Sequence, residues 1–218
     1  MISNTEYKVD IELLQQAKEL CKDWTGKNVL NMPTGDFFYD PWVISPHYKG
    51  TVFENILDAL PDIGEARIIR QECGTCYQAH SDIDDRYHLN IAGDHACLID
   101  LDTNKSYTLE SDGNFYLMDA GKTHSAANFG QEVRFQLVVR KLLKRAEWVE
   151  HTIEIHGGGE NPRYVFDRHI SPMLNHMNKR DVMNNFEVLQ TGVKFTTNAW
   201  WANLLNDHLP IGFKIIQN

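Results

Sequence analysis

Residues 114–139 read NFYLMDAGKTHSAANFGQEVRFQLVV, and this stretch decides the fold class. Two apolar runs of strand-forming residues flank the turn-forming cluster at residues 119–122. Similar short segments rich in Val, Ile, Tyr and Phe extend in both directions from it. The pattern predicts strands at residues 65–73, 85–92, 96–101, 106–110, 114–118 and 133–141.

Helical patterns lie before and after these strands rather than between them. An amphipathic pattern runs from Asp10 to about Trp24, and Thr51 with Glu54 forms a capping box that opens a second helix to about Leu60. Strands grouped in this way favour an antiparallel sandwich or barrel over a doubly wound parallel sheet. We therefore expect a mainly β protein with flanking helices.

The same pattern divides the chain into three segments of one domain. Residues 1–64 are expected to form an N-terminal helical support, residues 65–143 the β core, and residues 144–218 a C-terminal extension packed on that core. Within the extension, residues 171–189 are predicted to hold helices, and a further helix is predicted to begin at Trp200-Trp201.

Composition excludes some classes of partner. The 218 residues carry a formal net charge of −9, from 30 acidic and 21 basic residues. This balance argues against binding to nucleic acid or to an anionic membrane surface. The N-terminus has no secretory signal pattern, and the four cysteines do not form the framework of a small secreted scaffold, so we expect a cytoplasmic protein that acts on a small molecule or a peptide. The sequence gives no prediction of oligomeric state.

The candidate metal ligands are His80, Asp82 and His124. Residues i and i+2 of a strand face the same side, and closure of a barrel brings a third ligand alongside from a distant strand. Two imidazoles and one carboxylate on one face, with open positions opposite, are the ligand set of non-haem Fe(II) oxygenases. The spacing predicts an Fe(II) site.

Arg134 strengthens this prediction, because it lies ten residues after His124 within an apolar strand. There it would be a buried charge without a partner. A guanidinium binds a carboxylate through two parallel hydrogen bonds, so Arg134 is suited to hold the distal carboxylate of 2-oxoglutarate while the 2-oxo acid end chelates the iron. In residues 86–91, Arg86 and His88 share one face of another strand.

The segment from Met118 to Gly130, continued by residues 134–139, resembles the distal-histidine and arginine segment of the Fe(II)/2-oxoglutarate-dependent oxygenase superfamily. Within it, the chain looks like the branch of aspartyl/asparaginyl β-hydroxylases and free-proline hydroxylases, over roughly residues 65–143. The resemblance implies a double-stranded β-helix, a jelly-roll core like that of the cupins, with iron between its two sheets. It also implies that His80 and His124 bind metal and that Arg134 binds 2-oxoglutarate.

By the same resemblance, His88 contacts the co-substrate and Arg86 contacts the substrate. The vertebrate-type aspartyl/asparaginyl hydroxylases lack the carboxylate ligand, whereas this chain has Asp82 where proline hydroxylases have one. The resemblance thus implies a dioxygenase that uses O2 and 2-oxoglutarate to hydroxylate an amino acid, with release of succinate and CO2. A free amino acid such as proline is favoured over an Asp, Asn or other residue in a peptide or protein.

Two other classes of function remain open from the sequence. A non-catalytic barrel of cupin type would use similar histidines to bind a metal or small ligand, but it has no need of an inward Arg134. A structural or interaction protein would carry the same histidines incidentally. The Cys73-Gly74-Thr75-Cys76 motif is interpreted as a turn, since no second cysteine pair completes a zinc site, and His151 with His156 as surface residues of a strand.

Overall fold

The computed structural model describes residues 2–82, 84–143, 148–155, 167–168, 171–172, 174–175, 183–189, 192–207, 209 and 213–217. Its contacts divide the chain into two compact units, Met1–Lys144 and Arg145–Asn218. Among the described residues, every helix is too short or too polar to cross a membrane. His156 and the glycines at 157–159 lie outside the described residues.

The first unit is built mostly from short strands. In chain order its elements are β1 (Ile2–Lys8), α1 (Ile11–Cys21), β2 (Lys27–Val29), β3 (Asn31–Pro33), β4 (Trp42–Ile44), a 3₁₀ turn (Pro46–Tyr48), α2 (Val52–Leu57), β5 (Ile63–Gln71), β6 (Thr75–Cys76), β7 (Arg86–Ala92), β8 (Ala96–Asp100), β9 (Lys105–Leu109), β10 (Asn114–Met118), β11 (His124–Asn128) and β12 (Arg134–Lys141).

These strands form two main antiparallel sheets. One has six strands in the order β1-β10-β7-β12-β5-β2, and the other has four in the order β6-β11-β8-β9; β3 and β4 pair separately. From β5 to β12 the chain passes back and forth between the two main sheets, and only β8 and β9 follow each other in one sheet. This is the strand order of a double-stranded β-helix, so the predicted fold class is confirmed.

The inner face of the six-stranded sheet is polar along its central strand β7. Every residue of β7 is buried, although its sequence RYHLNIA alternates between polar and apolar side chains. The apolar set, with Leu89 and Ile91, belongs to the large core that also contains buried residues of α1 and α2. The helices therefore cover the outer face, and Arg86, His88 and Asn90 are left to the opposite face, between the sheets.

The two predicted N-terminal helices are confirmed as α1 and α2, but residues 1–64 are not purely helical. β1 and β2 lie at the two edges of the six-stranded sheet. The sequence did not indicate them because edge strands are partly exposed and carry no strong alternation. It also missed β11, whose sequence HSAAN has small side chains and no aromatic residue.

The second unit has a four-stranded antiparallel sheet and a helix near its C-terminal end among its described residues. Its elements are β13 (Trp148–Ile155), β14 (Asn184–Leu189), β15 (Gly192–Asn198), α3 (Ala199–Asp207) and β16 (Phe213–Gln217), with sheet order β14-β15-β13-β16. The helix predicted at Trp200-Trp201 is confirmed. Residues 171, 172, 174 and 175 are helical, as predicted. The prediction of helix up to residue 189 is wrong for β14, which forms a hairpin with β15, with Leu189 opposite Gly192. Packing of this segment on the core stays a prediction.

Candidate active site

The two main sheets enclose a cavity, and all six residues singled out from the sequence line it. Its wall combines cationic, neutral polar and apolar side chains. The lining residues are Arg67, Ile69, Gln71, Tyr77, His80, Asp82, Arg86, His88, Leu98, Met118, His124, Ala126, Arg134, Gln136 and Val138.

Three potential metal ligands converge at one side of this cavity. His80, Asp82 and His124 each offer a ligand atom, and these atoms all lie within 4.8 Å of one another. The Nε2 atoms of both histidines are 3.8 Å from Oδ2 of Asp82. This spacing leaves room for a cation between the three donors.

The backbone fixes where these three side chains stand. His124 begins β11, and its N–H and C=O groups exchange hydrogen bonds of 2.8 and 3.0 Å with those of His80. The backbone N–H of Asp82 donates to the carbonyl of Ala120 over 2.7 Å. His80 and Asp82 were predicted to share a strand end, but they lie in an irregular segment where His80 makes an isolated bridge. The three side chains do lie together, but backbone hydrogen bonds of an irregular segment bring them there and not the i, i+2 alternation of a strand.

Each histidine is held in the tautomer that a metal requires. Nδ1 of His80 lies 2.8 Å from the carbonyl oxygen of Gln78, and Nδ1 of His124 lies 2.8 Å from that of Lys122. A carbonyl oxygen only accepts hydrogen bonds, so Nδ1 carries the proton and Nε2 keeps its lone pair. Burial, as the largest cause, also lowers the pKa of His124, which favours its neutral, metal-binding form.

Arg134 is a fully buried guanidinium that contacts only neutral oxygens among the described residues. Its side chain donates to Oε1 of Gln136, to Oε1 of Gln71 and to the carbonyls of Cys97 and Ala127, over 2.6–3.1 Å. Burial lowers its pKa to about 10, so it remains charged at neutral pH. An arginine held rigidly without a carboxylate is a site prepared for an anion.

Gln136 lies beside Arg134 in the cavity, and the sequence analysis did not single it out. Its Oε1 accepts from Nε and Nη2 of Arg134, while its buried Nε2 has no hydrogen-bond partner among the described residues. A second N–H of Arg134 Nη2 is also left over, because only one of its two hydrogens is used. The signal in the sequence was the alternation of β12, which places residue 136 on the same face as Arg134.

Arg86 and His88 come from β7 and face the same cavity. Nη2 of Arg86 lies 3.2 Å from Oδ1 of Asp82 and 2.8 Å from Oδ1 of Asp84, whereas its Nε and Nη1 are buried and without a hydrogen-bond partner among the described residues. Neither ring nitrogen of His88 has such a partner. Burial first, and then Arg134 and His124, hold the pKa of His88 well below its usual value. A neutral His88 offers one donor and one acceptor to a ligand.

Arg67 is a further cation of the cavity that the sequence did not single out. It lies on the inner face of β5, opposite Val138 of β12. Its Nη1 is 3.3 Å from Oε2 of Glu65, and its buried Nε has no hydrogen-bond partner among the described residues. The sequence feature that could have identified Arg67 is the alternation along β5, which places residue 67 on the same face as Gln71.

We expect the metal-free protein to lose stability below pH ~6.5 because of His88. In the unfolded chain His88 takes up a proton near pH ~6.5, whereas in the folded chain its lowered pKa keeps it neutral at that pH. The contribution of His88 to the free energy of unfolding is therefore complete above this pH and decreases as the pH falls further. The limiting slope for one such group is about 1.4 kcal/mol per pH unit. Urea unfolding at pH 7.5 and 5.5 measures it. His88→Gln is expected to show a shallower loss than the parent; equal losses would contradict the assignment.

One known family model matches part of the chain. Residues 51–142 match the family model described as Aspartyl/Asparaginyl beta-hydroxylase, a range that contains all six predicted site residues. The predicted resemblance to the Fe(II)/2-oxoglutarate oxygenase superfamily is therefore confirmed for this part of the chain. A search among curated proteins found no match.

Three solved structures resemble the chain at low identity. AviO1 from Streptomyces viridochromogenes is 14% identical, over 67% of this chain and 91% of its own, with a TM-score of 0.47. A Pseudomonas putida prolyl-4-hydroxylase is 13% identical over 66% and 93%, with a TM-score of 0.44. The non-heme alpha ketoglutarate dependent carbocyclase SnoK from nogalamycin biosynthesis is 10% identical over 61% and 76%, with a TM-score of 0.38.

Proposed function

We propose that this protein is an Fe(II)- and 2-oxoglutarate-dependent dioxygenase that hydroxylates an amino acid. The observation that carries the proposal is the pairing, in one cavity, of a three-ligand cluster with a buried arginine that has no carboxylate partner among the described residues. The overall reaction would convert substrate C–H, O2 and 2-oxoglutarate into substrate C–OH, succinate and CO2.

The metal would be held by His80, Asp82 and His124. Two imidazoles whose Nδ1 atoms face carbonyl oxygens, which leaves Nε2 for the metal, and one carboxylate match the donor set of Fe(II) in such enzymes. When bound, the iron supplies the activation of O2 that couples decarboxylation of the co-substrate to oxidation of the substrate. The protein itself fixes the donors through backbone carbonyls and limits water around them.

The co-substrate would be held by Arg134 and Gln136. The free N–H of Arg134 Nη2 and the free amide of Gln136 can both donate to the distal carboxylate of 2-oxoglutarate. His88, neutral and with both ring nitrogens unused among the described residues, would donate to the same molecule nearer the metal. Burial of these donors makes each contact stronger than it would be in water.

The substrate would use the remaining part of the cavity. The unused Nε and Nη1 of Arg86 are donors suited to a carboxylate, and Arg67 adds positive charge on the neighbouring wall. Apolar side chains such as Met118, Leu98 and Val138 offer contacts to a hydrocarbon part. A free amino acid such as proline has both features. Hydroxylation of Asp, Asn or another residue in a peptide is the second candidate, since Tyr77 at the cavity is partly exposed.

The expected result is succinate formation from 2-oxoglutarate that depends on Fe(II) and O2 and is stimulated by one free amino acid. We would load the protein with Fe(II) and 2-oxoglutarate anaerobically, admit oxygen, and screen the free amino acids by mass spectrometry for succinate and for a product 16 Da heavier. Binding of metal and co-substrate without stimulation by any amino acid would move the proposal to a peptide substrate. Binding of neither would leave the non-catalytic barrel.

A further inference from the structure

A continuous chain of ion pairs leads from the candidate metal ligand Asp82 into the body of the sheet. Nη2 of Arg86 bridges Oδ1 of Asp82, at 3.2 Å, and Oδ1 of Asp84, at 2.8 Å. Oδ2 of Asp84 accepts in turn from Nε and Nη2 of Arg140. Two carboxylates and two guanidinium groups thus alternate in charge along one line, and none of the last three is needed to bind the metal directly.

The chain is deeply buried and anchored at its far end. Asp84, Arg86 and Arg140 are 2, 7 and 3% exposed. Arg140 stands opposite Arg86 in the pairing of β12 with β7, so the backbone sets the separation of their side chains. The guanidinium of Arg140 also lies 4.0 Å from the centre of the Phe37 ring and donates to the Phe37 carbonyl over 3.2 Å.

A buried network of ion pairs is weak as a source of folding stability. Removing charged groups from water costs free energy, and well-packed apolar residues of similar volume often serve at least as well. The outer face of the same sheet is apolar, as the core around Leu89 and Leu137 shows. Because the ion pairs lie beside Asp82, they are positioned to act on the cluster of candidate metal ligands.

The contacts indicate what that role is. Asp82 meets Arg86 through Oδ1, which leaves Oδ2 directed toward Nε2 of His80 and His124, 3.8 Å from each. Arg86 would not draw Asp82 away from a bound metal, because Asp84 pairs with the same Nη2. Without Asp84, the charge of Arg86 would be free to pair wholly with Asp82 and compete with a cation for both of its oxygens.

We propose that Asp84 and Arg140 are positioning residues of the metal site, which hold Arg86 and through it orient Asp82 toward His80 and His124. The inference rests on the proposed function only in taking Asp82 as a metal ligand. It assigns Arg86 two tasks with different atoms: Nη2 orients Asp82, while Nε and Nη1 remain available to a substrate.

The test is the affinity of the full chain for Mn(II), measured by electron paramagnetic resonance. Asp84→Asn keeps the shape of the side chain and removes its charge, and it is expected to weaken Mn(II) binding by roughly 10- to 100-fold, the usual effect of losing an outer-shell partner. The affinity for 2-oxoglutarate at saturating Mn(II) is expected to stay within about threefold of the parent, since Arg134 and Gln136 are untouched. Arg140→Lys, which keeps the charge, is expected to lose less affinity than Arg140→Met.

Leu14→Ala is the matched control for destabilisation. Leu14 is a buried residue of α1 in the core on the outer face of the sheet, so its loss lowers stability in urea without touching the ion pairs. It is expected to bind Mn(II) like the parent. Unchanged affinity in Asp84→Asn, or equal losses in Arg140→Lys and Arg140→Met, would overturn the positioning role alone. Failure of the parent itself to bind Mn(II) would instead overturn the proposed metal site. If Asp84→Asn does not fold, the two Arg140 variants decide the question.

Discussion

Replacing His124 by alanine is expected to weaken binding of Mn(II) or Fe(II) by more than about 100-fold, since loss of an outer-shell partner alone costs ~10- to 100-fold. His124 supplies one of only two imidazoles in the cluster, and its Nε2 is directed at Oδ2 of Asp82. Two remaining ligands do not form the three-donor face that the site provides. Formation of succinate is expected to fall to the level without enzyme. Calorimetric titration with Mn(II) and a succinate assay measure the two effects.

The matched control is His47→Ala. His47 is exposed, in the 3₁₀ turn, and its described ring contact is with Tyr48. It is expected to bind metal and turn over 2-oxoglutarate like the parent. Retention of Mn(II) binding in the His124 variant would show that the metal sits elsewhere or that the cluster does not bind one.

Replacing Arg134 by methionine is expected to weaken 2-oxoglutarate binding to the Mn(II)-loaded protein by about 30- to 4,000-fold. Removing one partner of a buried charge pair typically costs ~2–5 kcal/mol, because the other charge is left without compensation. Metal affinity is expected to remain unchanged, since Arg134 does not contact the three ligands in the described hydrogen bonds. Titration of 2-oxoglutarate at saturating Mn(II) gives the affinity directly.

Two companion variants separate charge and geometry. Arg134→Lys keeps a positive charge but loses the planar fork that meets a carboxylate with two hydrogen bonds, so an intermediate affinity is expected. Arg70→Met removes a guanidinium from the same sheet, where Arg70 pairs with Glu72 and donates to the Trp24 carbonyl. It is expected to leave 2-oxoglutarate affinity unchanged. If Arg134→Met binds 2-oxoglutarate like the parent, the co-substrate does not use this arginine.

Most of the residues that line the cavity were predictable from the alternation of side chains along the strands. This alternation placed Arg86 and His88 on one face and Arg134 on an inward position, and the structure brings these side chains to one cavity with His80, Asp82 and His124. These features are local, because the direction of a side chain in a strand depends on its own position along the chain. The antiparallel sandwich or barrel followed from the spacing of short strands without helices between them, whereas the jelly-roll core was implied by the family resemblance.

The contacts that the sequence did not predict join residues that are far apart along the chain. Gln71 meets Arg134 only because β5 and β12 pair in one register, and Arg140 reaches Asp84 across β7 in the same way. No spacing in the sequence reports such contacts. The sequence also did not report the irregular course of residues 77–82, since it is held by isolated hydrogen bonds to residues 120, 124 and 126 rather than by a strand ladder of its own.

The most direct test of the central claim is a pair of calorimetric titrations with 2-oxoglutarate, one into protein loaded with Mn(II) and one into the same protein stripped of metal. If His80, Asp82 and His124 hold the metal that chelates the 2-oxo acid end while Arg134 holds the distal carboxylate, binding is expected to be strong with metal and weaker by at least about tenfold without it. Equal affinity in both titrations, or no binding in either, would contradict the account.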